Sequence, residues 1–550
     1  MRKARLVKST VAVVLSAAML AGCGGGSSST GSGDSGNTTT TAAAGGSSED
    51  SGNSGGAAAP EASGEEVTIS VMVWDRGNAA PGTTPENNAL TDYIKQNVKE
   101  KYNINVEYVS VPRSSSDDKV NIMMAGGNAP DIIFTYSQNL FNSFAQNGGL
   151  ADLTAAYDAY GVNLKQNQGE IQSMGQYDGK QYAILKQRGL EMPRHLGFIR
   201  KDWLDAMNME IPKTKEELAA YLQAVKDQNP GGVDKVIPWA MSGRADTEKN
   251  YLAFVSSYVD LPTDKDAYVY NESYIAVAPG AVDGIRKLNE FYNAGLISQD
   301  FATDTTEDIY KAQVSAGNVG FFVDDTGGTS WDLMSILYSA TGKTAFVPVQ
   351  CFDLPDGSYR SVYEPRYGMY VMVPKTSEAK AEACIKYLDW MSDPEVAENI
   401  AYTPEHERDE AGVPIALTEA QLFEKGYPGT LDDLSIVNGF LEWMTNKDSV
   451  VSYWSQSQAV EWEDKAWFEN YYEVMNVGKF RYPTYPFISD AEANYGKNIE
   501  DMMVEYVYRL ISCPASEFDA LQQAEYSNLQ NAGLQQILDA RAEYYDANVQ

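Results

Sequence analysis

Apolar and polar residues alternate with two different periods in the first third of the chain, and these periods predict strands and helices in turn. Val67–Val73 is rich in β-branched residues and predicts a strand that ends at Trp74. Apolar residues at every fourth position predict a helix over 86–102. A strand over 104–111, a helix over 119–125 and a strand over 132–134 follow. This alternation indicates βαβ units and a mainly parallel sheet.

The same patterns continue through the rest of the chain. Thr214-Lys215-Glu216-Glu217 is a capping box, which predicts the start of a helix. The remaining elements predicted here are strands over 195–200, 318–323 and 367–373, an amphipathic helix over 379–391, and mainly helices from Pro394 onward. The stretch from 66 to 550, about 485 residues, is too long for one core. We therefore expect an α/β protein with two lobes and a largely helical C-terminal part.

The N-terminus carries the pattern of a secretory signal. A positive segment with Arg2, Lys3, Arg5 and Lys8 overlaps the apolar run from Leu6 to Leu20, which is too short to span a membrane as a helix. Leu20-Ala21-Gly22-Cys23 resembles the lipobox of bacterial lipoproteins. That resemblance implies cleavage after residue 22, a diacylated Cys23, and a protein held at the extracellular face of the membrane.

Composition refines this picture. Residues 23–65 are mostly Gly, Ser, Thr and Ala, and with so few apolar side chains we expect a disordered tether. The formal net charge of −34 excludes nucleic acid as a partner and leaves the lipid as the sole membrane attachment. Cys351, Cys384 and Cys513 have no metal-ligand spacing, so we expect buried thiols, with one disulfide among the three as the alternative.

Several motifs, taken in order, carry a resemblance to one family. The motifs are Met124-Ala125-Gly126-Gly127-Asn128-Ala129-Pro130-Asp131, Arg200-Lys201-Asp202-Trp203-Leu204, Ile211-Pro212, Val373-Pro374-Lys375 and Trp390-Met391-Ser392-Asp393-Pro394-Glu395. They resemble the extracellular solute-binding proteins of ABC importers, family 1. The stretch from Tyr506 to Tyr545 is similar to the ends of the large oligosaccharide-binding branch of Gram-positive bacteria.

The resemblance implies a periplasmic-binding-protein-like fold, in which two lobes joined by hinge crossovers close on a ligand. Lobe one would hold 66–187 and 345–395, and lobe two 196–342 and 400–550. The implied function is capture of a carbohydrate, in particular an oligosaccharide, by a monomer that delivers it to ABC permease subunits. A surface glycan sensor or adhesin with the same fold is the alternative.

Two segments depart from the family pattern. Members of the branch often carry an Asp/Asn-rich calcium loop, whereas 228–235 here reads Gln-Asn-Pro-Gly-Gly-Val-Asp-Lys. That segment lacks alternating oxygen ligands, so we predict no metal site there. The segment 402–408 also differs from the Gly-x-Glu-Gly that is common in the branch, which leaves its local geometry open.

Candidate ligand-binding residues follow from one rule, that loops at the carboxyl ends of parallel strands face the crevice. Sugars need aromatic rings for their C–H faces and Asp, Asn or Arg for their hydroxyl groups. The candidates are Trp74, Asp75, Arg76, Tyr136, Arg194, Trp239, Asp324, Asp325, Arg366 and Tyr367. For Arg194, in the first hinge, a structural salt bridge is an equal alternative, and Trp331, Trp443 and Trp454 are weaker candidates than Trp74 and Trp239.

The sequence does not favour an enzyme. It has two histidines, His195 and His406, and no HExxH, Gly-x-Ser-x-Gly or Walker motif. Asp324 and Asp325 would point to opposite sides of an extended segment, which does not suit a glycosidase pair. We therefore predict a binding protein without cofactors. A secreted polysaccharide-degrading enzyme is the weaker alternative.

Overall fold

A computed structural model describes residues 65–245, 250–342, 345–456, 465–486 and 489–549. The strands are β1 Val67–Asp75, β2 Ile104–Pro112, β3 Ile133–Thr135, β4 Gln176–Tyr177, β5 Lys180–Gln181, β6 Ala183–Gln187, β7 His195–Arg200, β8 Ile237–Ala240, β9 Val319–Asp325, β10 Phe346–Val349, β11 Ser361–Val362, β12 Tyr367–Met372 and β13 Lys479–Phe480. The helices up to the second crossover are α1 Ala89–Tyr102, α2 Ser116–Gly126, α3 Gln138–Gln146, α4 Thr154–Tyr160, α5 Val162–Gln172, α6 Lys201–Met207, α7 Lys215–Gln228, α8 Leu252–Ser256, α9 Asp264–Tyr274, α10 Ala281–Asn293, α11 Asp308–Ser315 and α12 Gly328–Thr341. The later helices are α13 Ala381–Ser392, α14 Pro394–Tyr402, α15 Glu419–Glu424, α16 Lys447–Gln456, α17 Lys465–Met475, α18 Asp490–Ser512, α19 Phe518–Asn531 and α20 Leu534–Asn548.

The first lobe is built on a mixed sheet. β1 pairs in parallel with β2, and Ile132, just before β3, pairs in parallel with Val71. β12 then runs antiparallel between β3 and β6. The expected βαβ units are therefore confirmed, and β1, β2, β3 and β6 run in one direction. β12 runs against them, because it arrives from the other lobe and enters the sheet from the opposite end.

The second lobe has a four-stranded sheet in the order β10-β7-β9-β8. β8 and β9 are parallel, while β7 runs antiparallel to both β9 and β10. One apolar cluster covers one face with α7, α10 and α18, and a second covers the other face with α12, α16 and α17. The sheet is thus buried between helical layers, and the helical C-terminal part predicted from the sequence supplies much of both layers.

Residues 400–437, assigned from the sequence to lobe two, contribute to both apolar cores. Ile400, Leu422 and Val437 pack in the core of the first lobe, whereas Tyr402 and Val413 pack in that of the second, as does Leu441. The chain crosses between the lobes at 188–194, at 363–366 and at 438–440.

These crossovers form a short hydrogen-bonded ribbon. Pro193 pairs antiparallel with Tyr363, and the Arg188 N–H donates to the Arg366 carbonyl at 2.9 Å. On the other side, the Gly439 N–H donates to the Gln187 carbonyl at 2.8 Å. Backbone bonds therefore fix how the crossovers lie side by side, which sets the positions of the side chains they carry.

Several local predictions are confirmed. Thr214 caps α7 by accepting a hydrogen bond from the Glu217 N–H at 3.1 Å. The Glu217 carboxylate accepts from the Lys213 N–H and not from Thr214, so the reciprocal half of the capping box is shifted by one residue. Cys351, Cys384 and Cys513 are free, buried thiols, so the disulfide alternative is wrong. Among the described helices, none combines the length and apolar character needed to cross a lipid bilayer.

Candidate ligand-binding cleft

The carboxyl ends of the first lobe's strands bring several candidates to one edge. β1 ends at Asp75, directly opposite Pro112 at the end of β2, so Arg76 and Arg113 leave the sheet side by side. Tyr136 follows β3, and Tyr367 begins the antiparallel β12 at this same end. The rule used on the sequence therefore places these residues together.

Trp74 lies under other side chains and is only 5% exposed. Its ring packs edge-on against Phe134 at 5.0 Å and lies 5.6 Å from Tyr136, measured between ring centroids. The Arg113 guanidinium is 4.2 Å from the Trp74 ring centroid. The expectation that Trp74 offers an open face to a sugar is therefore wrong. The accessible ring is that of Tyr136, which is 41% exposed.

Arginines surround these two rings. Arg76 lies 5.8 Å from the Trp74 centroid, and Arg113 and Arg188 each lie 5.8 Å from the Tyr136 centroid. We call Trp74, Arg76, Arg113, Tyr136 and Arg188 the aromatic–arginine cluster. Arg113 and Arg188 were not among the sequence candidates. Arg113 was recoverable, since it follows strand β2 just as Arg76 follows β1.

Asp75 and Arg76 have partners within the protein. The Asp75 carboxylate accepts from the Gly77 N–H at 2.8 Å and shapes the turn after β1. Arg76 makes two parallel hydrogen bonds of 2.7 and 2.8 Å to Asp433. Burial raises the pKa of Asp433 and the Arg76 guanidinium opposes that rise. This ion pair joins the residues that follow β1 to Asp433, which lies shortly before the third crossover at 438–440.

Trp239 is a core residue. It lies within β8 and not in a loop, it is fully buried, and its ring packs against Phe254, Phe321 and Phe352. The expectation that Trp239 faces the crevice is therefore wrong. Trp331, Trp443 and Trp454 are also buried, in the cluster on the other face of the sheet. From the sequence alone, a loop that follows an apolar strand cannot be distinguished from a buried strand that contains a proline.

Asp324 and Asp325 separate as their alternation predicts. Asp324 is buried; its carboxylate accepts from the Tyr310 hydroxyl at 2.7 Å and from the Asp325 N–H at 2.8 Å. Burial raises the pKa of Asp324 to about 6, and the Tyr310 hydrogen bond opposes the rise. Asp325 is half-buried at the end of β9, 3.9 Å from the Arg194 guanidinium. Asp324 is thus bonded inside the second lobe, and Asp325 lies beside Arg194 of the first crossover.

Two carboxylates tie the crossovers together. Glu364 accepts from Arg188 at 2.6 Å and from Arg194 at 2.7 Å, so the structural salt bridge considered for Arg194 is present. Glu191 contacts three cations, at distances of 3.0, 2.5 and 3.1 Å for Arg366, Lys479 and Arg481. Although burial opposes it, these cations lower the pKa of Glu191. Neither glutamate was a sequence candidate, because their partners are distant in the chain.

Two adjoining cavities lie along the second crossover, one of ≈ 440 Å³ and one of ≈ 400 Å³. The larger cavity is bordered by Arg188 of the aromatic–arginine cluster and by residues of both lobes. The smaller cavity has many phenol rings; these belong to Tyr268, Tyr363, Tyr367, Tyr482 and Tyr485. Arg366, exposed over half its side chain, lines both cavities. Two of the sequence candidates, Arg366 and Tyr367, therefore border the cavities between the cores.

The described residues contain no group of three or more His, Cys, Asp or Glu side chains arranged to hold a metal ion. In the segment that replaces the family's calcium loop, Asn229 folds its side chain back onto Val233. The Asn229 amide accepts from the Val233 N–H at 3.2 Å and donates to its carbonyl at 2.8 Å. These two bonds use the Asn229 amide to close the loop after α7.

Similar proteins fit this architecture. Residues 80–398, more than half of the chain, match the family model described as bacterial extracellular solute-binding protein. The chain is 24% identical over 323 residues to the polygalacturonan/rhamnogalacturonan-binding protein YtcQ of Bacillus subtilis, which covers 56% of this chain and 62% of YtcQ. It is 26% identical over 354 residues to lipoprotein LipO of the same species, covering 61% of this chain and 66% of LipO. The matches thus span less than two thirds of either relative.

Among solved structures, an S. pneumoniae ABC-transporter substrate-binding protein, the FusA EF-hand mutant in complex with fructo-nystose, has a TM-score of 0.61 to this structure. The alignment has 17% sequence identity and covers 87% of this chain and 99% of FusA. At that identity the likeness shows the fold, and it is the two-lobed fold expected from the sequence. The chain belongs to the bacterial extracellular solute-binding protein family.

Proposed function

We propose that this protein binds a carbohydrate between its two lobes and delivers it, unaltered, to the permease subunits of an ABC importer. The observation that carries the proposal is the aromatic–arginine cluster. In it, the guanidinium groups of Arg113 and Arg188 lie beside the exposed phenol ring of Tyr136, at the edge where the crossovers leave the first lobe. Such a ring packs on the C–H face of a sugar, while Arg and carboxylate groups serve its hydroxyl groups.

The relatives support a carbohydrate over other solutes. YtcQ is named for binding polygalacturonan and rhamnogalacturonan, and the FusA structure holds fructo-nystose. The volumes of the two adjoining cavities, ≈ 440 and ≈ 400 Å³, favour an oligosaccharide over a single sugar ring. We infer that Arg366 and Tyr367, which border them, contact the chain of sugars beyond Tyr136.

Calorimetry on a soluble chain that begins at Gly24 and so lacks Cys23 and its lipid, with a panel of neutral and acidic oligosaccharides, tests this proposal. Tyr136→Ala should weaken binding about 5- to 150-fold, since one large ring loses its contact with the sugar, about 1–3 kcal/mol. The melting temperature of the free protein should change little, because the ring is exposed. Tyr160→Ala, at a similarly exposed tyrosine on α4, is the matched control and should leave affinity unchanged.

Binding without chemistry is the second part of the proposal. Incubation of the panel with the protein should yield no new reducing ends and no unsaturated products. Products that appear with the wild type and disappear on substitution of Asp325 or Glu364 would replace the binding proposal with a glycosidase or lyase.

We further propose that the protein acts as a monomer anchored at the extracellular face of the membrane by a lipid on Cys23. Cys23 and the tether lie outside the described residues, and the support is the lipobox-like segment together with the name of the relative LipO. Mass spectrometry should find a lipid-modified Cys23 as the first residue. Cys23→Ala should leave the chain unprocessed or free of membranes. An intact Met1 on the wild type contradicts the anchor.

A further inference from the structure

Arg113 differs from the other arginines of the aromatic–arginine cluster. Its guanidinium lies 4.2 Å from the Trp74 ring centroid and 5.8 Å from that of Tyr136. Its Nε atom is buried and has no hydrogen-bond partner. Throughout the described ranges, no carboxylate lies within 4 Å of it and no protein group accepts a hydrogen bond from it. A guanidinium has five N–H donors, so this group has bonding capacity to offer a ligand.

The neighbouring arginines are neutralised within the protein. Arg76 makes its two hydrogen bonds to Asp433, and Arg188 makes its ion pair with Glu364. Asp117, one helical turn after Arg113, is engaged by the Thr135 hydroxyl at 2.7 Å. Asp433 also feels the Arg113 charge, but its two carboxylate oxygens are held by Arg76. Arg113 is thus the arginine of the cluster that has no carboxylate hydrogen-bonded to it within the described ranges.

We propose that the sugar stacked on Tyr136 carries a carboxylate that binds Arg113, so that the ligand is an acidic oligosaccharide built from uronic acids. This inference rests on the proposed function and narrows its substrate class. A planar guanidinium matches a carboxylate in geometry as well as charge. The stacked position over Trp74 fixes the orientation of the group before the ligand arrives, which lowers the entropic cost of binding.

The competing explanation is that Arg113 only shields Trp74 from water. The two explanations differ in what they predict for charge. A shield matters equally for acidic and neutral ligands, whereas a carboxylate receptor acts on the acidic ligand alone. The ratio of the two affinities, and not either affinity by itself, therefore decides between them.

The experiment compares the binding of acidic and neutral forms of the same sugars to the soluble chain that begins at Gly24. The probes are tetramers of galacturonate and of mannuronate, each with its fully methyl-esterified form. For at least one sugar, the acid should bind about 10- to 100-fold more tightly than the ester, the scale of one charge-assisted hydrogen-bonded pair. Arg113→Gln should bring that ratio close to one, and Arg113→Lys should keep part of it. Rising NaCl should lower it in the wild type.

A matched control is available on the second lobe. Arg286 also stacks on a ring, 4.3 Å from the Phe518 centroid, and Arg286→Gln should leave the ratio unchanged. Equal affinity of the wild type for acid and ester, or a preference for the ester, overturns the acidic-ligand inference and leaves the proposed function standing. A loss of affinity in Arg113→Gln that is the same for both forms also overturns it. Failure of every carbohydrate to bind overturns the proposed function itself.

Discussion

At the scale of single residues, burial decides which aromatic side chains can serve a ligand. Trp74, Tyr136 and Trp239 all follow or occupy strands, and the sequence rule treated them alike. The neighbours that bury Trp239, Phe254 and Phe321 among them, lie far along the chain, so a rule based on local sequence has no access to them. Asp324 and Asp325 were predictable because alternation on a strand is a local property.

Trp239→Ala should lower the free energy of unfolding by about 3–5 kcal/mol, because it leaves a large void among Phe254, Phe321 and Phe352. Urea unfolding followed by circular dichroism measures the loss. Affinity for a bound oligosaccharide should be retained under conditions where the variant is folded. Weakened binding without loss of stability would show that Trp239 contacts the ligand.

Asp324 predicts a pH dependence of stability. Its pKa in the folded protein, about 6, is higher than its ordinary value of 3.8, because burial disfavours the charged carboxylate. Between about pH 4 and 6 the folded state therefore binds more protons than the unfolded state, and the stability contributed by this group falls as pH rises. Asp324 therefore makes the free energy of unfolding roughly 3 kcal/mol larger below pH 4 than above pH 6.

Asp324→Asn should remove this slope. The difference in unfolding free energy between the variant and the wild type should shift in favour of the variant across pH 4 to 6 and then stay constant. Asp325→Asn, at the half-buried neighbour, is the matched control. A wild-type slope that survives in Asp324→Asn assigns the effect to another group.

At the scale of elements, features that depend on neighbouring residues were predictable and the direction of a strand that arrives from the other lobe was not. Thr214 begins α7 where the pattern expects it, because a cap depends on residues within one turn. The direction of β12 depends on a crossover from the other lobe, and no local pattern encodes it. The βαβ pattern predicted the shared direction of β1, β2 and β3 but not that of β12. The candidate residues still meet, because β12 begins at the edge where β1 and β3 end.

Asn88 is an element-scale feature that the sequence pattern missed. It caps α1 by accepting from the N–H groups of Leu90 and Thr91, and the Thr91 hydroxyl accepts from the Asn88 N–H at 2.9 Å. Asn88→Ala should cost about 1–2 kcal/mol of stability, since buried donors lose their acceptor. Gln96→Ala on the exposed face of α1 should cost less than about 0.5 kcal/mol. Equal effects in thermal melts would show that the cap contributes nothing.

At the scale of the whole molecule, the expectation of two lobes rested on chain length and resemblance, and the structure has two cores. Residues 400–437 are not part of a regular repeat of strands and helices, and their side chains divide between the cores. Ile400 and Leu422 pack in the first core, and Tyr402 and Val413 pack in the second. Where a chain crosses between cores is a tertiary property, visible only when the partners of each apolar residue are known.

The ion pairs of Glu364 with Arg188 and Arg194 are expected to stabilise the crossovers. Glu364→Gln removes the negative charge shared by Arg188 and Arg194 and leaves one acceptor oxygen where the carboxylate offers two. We expect a loss of about 1–3 kcal/mol because these partners are partly buried. Added salt should reduce the difference from the wild type, since charge pairs are screened. Glu378→Gln, which breaks an exposed pair with Lys375, should cost under about 1 kcal/mol. Equal costs at low salt would mean that the crossovers are held by their backbone bonds alone.

Because Cys351, Cys384 and Cys513 are buried, fluorescent dyes can be attached selectively to cysteines introduced on the surface. Burial raises the pKa values of Cys351, Cys384 and Cys513, so they hold little of the thiolate that attacks maleimide dyes. In a Cys23→Ala background, Gln96→Cys on α1 and Gln223→Cys on α7 would then be the preferred sites of labelling, one on each lobe. Energy transfer between two dyes placed there would follow the distance between the lobes as a sugar binds, in real time and without altering a native cysteine of the folded body.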